Sequence, residues 1–401
     1  MATNAQVPYG AYWSTPNVKW QGSFQHLHAM EFAAHVAKDE MAKRDIEPTK
    51  FDYAVLGLTV NQFQSFNGLP WFTNMIGAPS VGGPLINQVC ATGARCVENA
   101  VMEIEGKMAK IALVATCDRT SNNPEIYYPN PNGIGGAGKH ENQLLYNMNN
   151  DPTGHHSMTQ TAENVAARHG FTTEQQHEVA VRRGEQYQDA LADDSAFLKR
   201  FMTLPFNVPS ANYKKSIGTL EGDEGVYPPN LEKLNSMRPV VEGGTVTFGG
   251  QTYPADGSAC MVVTTSEKAD EMSQDKNIQI HLRGFGQARA ELGYMPEAPV
   301  PAAQRAVEMA GWKMDDIDAV KTHNPFALND LYFAQETGWD VNKMNNYGCT
   351  LVWGHTQAAM GTRGIIELIE ELVIRGGGKG VFTGCAAGDT GMAVAVEVTG
   401  S

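Results

Sequence analysis

The chain lacks several things, and each absence narrows what it does. It has no uninterrupted apolar run of the roughly eighteen residues that a membrane-spanning helix needs, so no membrane partner is expected. It has no C-x-x-C pair. Its six cysteines, at 90, 96, 117, 260, 349 and 385, are scattered. That argues against a disulfide scaffold and against a metal site of the zinc type, and it fits a reducing, cytoplasmic setting. Blocks of Lys and Arg are absent too. The 30 basic residues stand against 44 acidic ones, a formal charge of -14. General nucleic-acid binding is therefore not expected, although local cations remain free to hold a phosphorylated ligand. Met1 to Gly10 has neither basic residues nor an apolar core, so no signal peptide is expected there. The remainder, with 42% hydrophobic and 18% charged residues over 401 positions, reads as two or three globular units.

What the chain does have is well-punctuated periodicity. Asn87-Gln-Val-Cys90-Ala-Thr-Gly-Ala-Arg95 follows Gly82, Gly83 and Pro84. It reads as the end of a buried strand, a sharp corner and the start of a helix, with Val97, Val101, Ile104 and Met108 at helical spacing. Cys90 then sits at a helix N-terminus. Free N–H groups and the helix dipole favour an anion there, so this thiol is expected to ionise more easily than a free one and to act as a nucleophile. A small buried core cysteine fits the same residues.

Strand and helix alternate through residues 1–118, an α/β layered unit. The pattern predicts a helix over 28–44 and buried strands over 52–60 and 110–116. Residues 119–160 break it with Asn, Pro, Gly and Tyr, too long for a passive connection. Helices are predicted over 158–170 and 173–191, the second opened by a capping box, Thr173-x-x-Gln176. Residues 195–255 read as loops and short strands. Strands are then predicted over 259–264, 278–285, 317–323, 380–384 and 394–398, and helices over 302–310, 330–336 and within 354–372.

An order of parts recurs. Gly93-Ala-Arg95 begins a helix and Lys110 to Thr116 is the strand after it; Gly361-Thr-Arg363 and Lys379 to Gly384 repeat the order. A pocket between two such halves would collect strand-end residues from both. The candidates are Cys90, His323, His355 and Cys385. A histidine beside a cysteine makes a Cys–His pair. The small residues after Cys385 let backbone N–H groups approach and stabilise an oxyanion. Taken singly, each histidine also fits a hydrogen-bonded structural residue, and Cys385 a core thiol.

Together the motifs resemble the thiolase family over nearly the whole length. The carriers are Asn87 to Gly93, Thr161-Ala-Glu-Asn-Val-Ala166, Gly244-Thr-Val-Thr-Phe-Gly249, Asp256-Gly-Ser-Ala259, Asn345 to His355 and Cys385 to Gly391. The resemblance implies an α/β thiolase-like fold of two duplicated halves in layered sheets. The expected order is an N-terminal half (1–118), an inserted loop domain that binds CoA (119–255), a return segment (256–277) and a C-terminal half (278–401). It implies an acyltransferase that cleaves or condenses a 3-oxoacyl-CoA through an acyl-cysteine. Cys90 would take the acyl group. His355 would deprotonate it and hold a thioester oxygen. Cys385 would move the proton next to the carbonyl, and His323 would stand at the enolate oxyanion hole. The N–H groups of Cys90 and Ala387 would form a second hole. His156, Met158, Thr252, Phe326 and Gly388 would contact substrate or coenzyme A. CoA enters as a substrate, with no permanently bound cofactor and no metal. A homodimer or tetramer is implied, and one thiolase type works beside a small zinc-binding OB-fold companion subunit.

Departures from the family pattern are Thr356 after the Gly-His pair, Ala387 and Asp389 for glycines, and Asn324 for an acid. With the long 119–160 excursion they suggest a bulky or aromatic acyl substrate. Two alternatives stay open: a ketoacyl or hydroxymethylglutaryl synthase-like condensing enzyme, and a non-catalytic acyl-CoA-binding subunit.

Overall fold

The computed structural model describes residues 2–400. In chain order its first half comprises β1 (Gln6–Val7), β2 (Tyr12–Ser14), β3 (Val18–Lys19), α1 (Ala29–Lys43), β4 (Tyr53–Gly57), α2 (Leu69–Ile76), β5 (Leu85–Ile86), α3 (Thr92–Glu105) and β6 (Ile111–Asp118). The excursion carries β7 (Glu125–Tyr128), β8 (Lys139–Asn142), α4 (Gln143–Asn149), α5 (Met158–His169), α6 (Thr173–Lys199), β9 (Phe206–Pro209), β10 (Ser216–Leu220) and α7 (Leu231–Asn235). The chain returns through β11 (Ala255–Thr264) and α8 (Ser266–Met272). It then builds β12 (Gln279–Arg289), α9 (Pro299–Met309), β13 (Ala319–His323), α10 (Ala327–Thr337), α11 (Thr350–Trp353), α12 (Ala358–Ile374), β14 (Gly378–Ala386) and β15 (Thr390–Thr399).

The strands lie in the order β13-β14-β15-β12-β1-β11-β6-β4-β5. The first half contributes two parallel pairs, β4 with β6 and β4 with β5, and the second contributes one, β13 with β14. Each adds an antiparallel neighbour, β11 on β6 and β15 on β14. Within the sheet the halves are joined through β1, where Gln6 pairs with Thr264 on one side and His281 on the other. Helices α3 and α12 pack on each other and on strands of both halves, while α1 and α2 cover one outer face and α9 the other. The architecture is thus layered, with α3 and α12 in the middle.

The proposed repeat is real in space. α3 precedes β6 as α12 precedes β14, and the equivalent glycines touch. A Cβ on Gly93 would lie 2.5 Å from the backbone nitrogen of Thr362 and 2.8 Å from the Ala358 oxygen. Only glycine permits this approach. α12 is apolar nearly all round, which is why it can sit in a middle layer. Its charged groups are paired: Arg363 donates to both oxygens of Asp223 at 2.6 and 2.8 Å and to Glu367 at 2.9 Å.

Several expectations need correction. The strand before Cys90 is not buried. It is a two-residue edge strand, and Leu85 is 40% exposed. The apolar letters there serve a surface, which burial patterns in sequence cannot distinguish. Helix α2 was not foreseen, because its eight residues are bracketed by glycines and start at Leu69-Pro70. The capping box is one residue earlier: Thr172 caps the nitrogen of Gln175, and Gln175 returns to the nitrogen of Thr172. Thr173 and Gln176 instead bond Thr245. Nor does α6 stop at 191. It runs to Lys199 with a break at Ala192 to Ser195, where Asp193, Asp194 and Ser195 take positive φ.

The motifs of the excursion hold it together. Glu163 accepts the N–H groups of Thr245 and Val246 at 2.8–2.9 Å, so the Thr161–Ala166 segment clasps the Gly244–Gly249 segment. No helix among the described residues is long and apolar enough to cross a membrane.

Candidate active site

Cys90 stands on a corner fixed by Thr92. The Thr92 hydroxyl accepts the Gln88 N–H at 2.8 Å and donates to the Val89 carbonyl at 2.7 Å. Val89 is held at φ 49, a region that β-branched residues avoid. The corner turns the Cys90 sulfur into a cavity of about 430 Å3, whose walls include Met158, Ala387 and Gly388.

His355 reaches the same sulfur from the other half, with Nε2 3.2 Å from Sγ. Its backbone is pinned to the start of β11, N–H to the Tyr253 carbonyl and carbonyl from the Ala255 N–H. Its ring is oriented by Gln357, whose N–H donates to Nδ1 at 2.9 Å. Nδ1 is thereby an acceptor, and the proton of the neutral ring belongs on Nε2, facing the sulfur. Gln357 Oε1 also lies 3.5 Å from the Cys90 sulfur. Sequence reasoning missed Gln357; its only signal is its place two residues after the Gly-His pair.

His323 ends β13 and faces His355, ring centroids 4.6 Å apart and nearly perpendicular. It is 1% exposed, and neither ring nitrogen has a hydrogen-bond partner. The loop after it is braced by a buried network. Asp330 accepts from Arg183 at 2.8 Å, Thr322 at 2.6 Å and Asn324 at 2.7 Å.

Cys385 lies one residue beyond Gly384, the sheet partner of His323. It is fully buried against Phe326 and Met158. Asn329, also unforeseen, donates to its sulfur at 3.5 Å. Cys90, His323, His355 and Cys385 therefore converge.

The remaining expected contacts divide. Met158 and Gly388 line the Cys90 cavity, and Phe326 packs behind it. Thr252 lies apart: its N–H bonds the Pro325 carbonyl and its hydroxyl is spent on the Thr350 carbonyl at 2.5 Å. The ring of His156 packs over Gly154 and does not line the Cys90 cavity. A second cleft, lined by Tyr227, Phe248, Gln251, Tyr253 and Leu351, runs beside Thr252.

The electrostatics overturn the expectation of an easily ionised thiol. Burial pushes Cys90 up to about 12, against the opposing pull of the Ala387 and Cys90 N–H groups. Burial also lowers His355 to about 4. Burial, then the nearby Cys90 sulfur, pushes the Cys385 thiol far up. Burial, then His355, holds His323 well below the usual range. The resting centre is uncharged because desolvation outweighs the helix terminus. Cys90, His323 and His355 offer ligand-type atoms within 4.8 Å of one another. A proton on His355 Nε2 leaves that nitrogen no lone pair for a metal, so the cluster reads as a hydrogen-bonding set.

A sulfur with two donor N–H groups, an imidazole and a second thiol suit an enzyme that transfers acyl groups. More narrowly, residues 11–267 match the family model of the thiolase N-terminal domain and residues 276–398 that of the thiolase C-terminal domain; the chain belongs to the thiolase family. It is 30% identical over 383 residues to an acetyl-CoA acetyltransferase of Chromobacterium violaceum, covering 94% of this chain and 95% of that one. The crystal structure of human mitochondrial 3-ketoacyl-CoA thiolase superposes with a TM-score of 0.89 at 25% identity, covering 99% of each chain. The same human thiolase in complex with CoA gives 0.87 at 26% identity, covering 100% of this chain and 99% of that one. The chain is accordingly an acyltransferase.

Proposed function

We propose that the protein cleaves a 3-oxoacyl-CoA with CoA, or runs the reverse condensation. The observation that carries this reading is the 3.2 Å contact between Cys90 and His355, with Cys385 beside them. The Cys90 thiol adds across the 3-oxo group, its sulfur going to carbon 3 and its proton to the oxygen. The bond between carbons 2 and 3 breaks, and the departing enolate takes its proton from Cys385. Cys385 is restored with the proton held on the 3-oxo oxygen as the carbonyl re-forms, so the first half-reaction yields an acyl-cysteine and acetyl-CoA. CoA thiol then takes the acyl group, and its proton returns to Cys90. His355, expected to deprotonate Cys90, acts instead as a donor because its Nδ1 accepts from Gln357: Nε2–H steadies the sulfur and then a thioester oxygen. The N–H groups of Cys90 and Ala387, both turned to the sulfur, are the second oxyanion hole, each donor contributing roughly 3 kcal/mol. The unpartnered His323 donates to the enolate oxygen. CoA is a substrate, and its arm lies along the cleft beside Thr252, with His156 near the pantetheine.

The acyl group is bulky or aromatic. The supporting feature is the cavity of about 430 Å3 with Val60, Leu144, Met148 and Met158 on its walls. Thiolytic cleavage assayed across 3-oxoacyl-CoA thioesters tests this; turnover of acetoacetyl-CoA equal to that of bulky substrates would reject the bulky acyl. A second reading has one observation behind it. Two histidines flank Cys90, which suits a ketoacyl or hydroxymethylglutaryl synthase-like enzyme. Condensation without any thiolysis in the same panel would favour it, and no turnover at all would favour an acyl-CoA-binding subunit.

The protein works as a homodimer in the cytoplasm. Edge strand β5 has an open side, and its Leu85 packs over Gly68, which follows Phe63 (81% exposed) and Phe66 (100% exposed) in the chain. The mass of the purified particle tests this, and extra mass would reveal a companion subunit.

A further inference from the structure

The cavity before Cys90 has one cationic side chain on its wall, Arg289, at the end of β12. Its guanidinium makes no hydrogen bond and no ion pair with the described residues. The other polar groups of the cavity are largely spent on the protein. Asp151 accepts the N–H groups of Thr153 and Gly154 at 2.8 and 2.6 Å. Gln143 uses both ends of its amide, accepting from Asn61 at 3.0 Å and donating to the Thr59 carbonyl at 3.3 Å. Asn147 donates to the Gln143 carbonyl at 2.7 Å. Asn87 accepts the Val89 N–H at 2.9 Å, which leaves its NH2 group free. The unspent donors are thus the permanently charged Arg289 and the amide of Asn87, with Asp151 Oδ2 and Asn147 Oδ1 as unspent acceptors, on a wall that also carries Val60, Leu144, Met148 and Met158.

A planar, always charged guanidinium matches a carboxylate with two parallel hydrogen bonds. The protein offers two competing anions, Asp151 on the same cavity wall and Asp389 beside it, and Arg289 is ion-paired with neither. Asp389 is next along from Thr390, the sheet partner of Arg289, and its carboxylate is buried with neither oxygen bonded. The two do not form an ion pair, and Arg289 faces the cavity instead.

We propose that the acyl group left on Cys90 carries a carboxylate at its far end, and that Arg289, with the amide of Asn87, selects it. The substrate class is a 3-oxoacyl-CoA whose chain is apolar along its length and anionic at its tip. This rests on the cleavage reading above and deepens it.

The test uses a matched pair of 3-oxoacyl-CoA thioesters of equal length, one ending in a carboxylate and one in its methyl ester. The wild type should prefer the carboxylate in kcat/KM by on the order of 10-fold or more. In Arg289→Ala that ratio should fall towards one, and in Arg289→Lys to an intermediate value. Equal kcat/KM for the pair in the wild type, or an unchanged ratio in Arg289→Ala, overturns the proposal while leaving cleavage intact. Binding of the two thioesters to Cys90→Ala protein is measured in parallel by calorimetry. Tighter, Arg289-dependent binding of the carboxylate form without any cleavage by the wild type would keep the site and reject the reaction. Arg289 is exposed, so its truncation leaves the core untouched, and a thermal melt verifies that.

Discussion

The two middle-layer helices are counterparts, yet their starts do different work. α3 begins behind Cys90 and α12 begins behind His355 and Gln357. Because Gly93 and Gly361 let the helices touch, the two corners face each other, and sulfur meets imidazole. The strands that follow exchange favours across the same contact. Asp118, ending β6 of the first half, accepts the Ala358 N–H that opens α12 of the second at 2.8 Å. Ala387, just past β14 of the second half, turns its N–H to the sulfur of the first. Each half thus fixes the other's reactive corner. Symmetry brought the parts together; divergence gave one corner the nucleophile and the other the donor.

The sharpest way to break this pairing is to remove one corner's chemistry. Cys90→Ala should lower thiolytic kcat by roughly 10^5-fold with little change in thermal stability, and it should form no acyl-enzyme visible by mass spectrometry. Asp118→Ala attacks the exchange instead. It leaves the N–H groups of Thr59, Val60 and Ala358 without their acceptor, so denaturant unfolding should show a loss of about 3 kcal/mol or more.

The uncharged centre makes a pH prediction. Folded His355 takes a proton only near pH 4, whereas the unfolded ring takes one near 6.5. The unfolded state therefore binds more protons in that window, and stability should fall as pH drops through it, by about 3 kcal/mol in all. His323 acts in the same direction. His355→Asn should flatten this acid limb, and an unchanged limb would refute the assignment. Gly93→Ala tests the close approach. Its Cβ meets backbone 2.5 Å away, which should cost about 2 kcal/mol in stability and lower kcat by parting the corners. Gly361→Ala, with its nearest backbone at 3.1 Å, should cost less. The smallest effect belongs to Val89→Gly. Relief of φ 49, less the added chain entropy, should stabilise by about 1 kcal/mol while the looser corner slows acylation.

Much of this comparison is legible in the letters. Gly82, Gly83 and Pro84 before the periodic Val97, Val101 and Ile104 mark the corner, and the repeated Gly-x-Arg helix starts mark the duplication. The main strands follow from their apolar runs. What stays hidden is whatever depends on distant partners. Asp118 looks like any acid at a strand end until the nitrogens of residues 59, 60 and 358 surround it. Gln357 and Asn329 gain meaning only from the histidine and the sulfur they touch. The pKa of Cys90 was misjudged because a helix terminus is visible in one segment, whereas desolvation is a sum over the whole fold. The capping box slipped by one residue because Thr172 and Thr173 offer the same hydroxyl.

The glycine notch between the middle helices also bears on ancestry. A gene for a single half would encode an apolar helix with nothing to cover it, and the way to hide such a stripe is against an identical copy. Two matching corners would then have met on a twofold axis, each copying the other's tasks. Joining such copies into one polypeptide would have freed the corners to specialise.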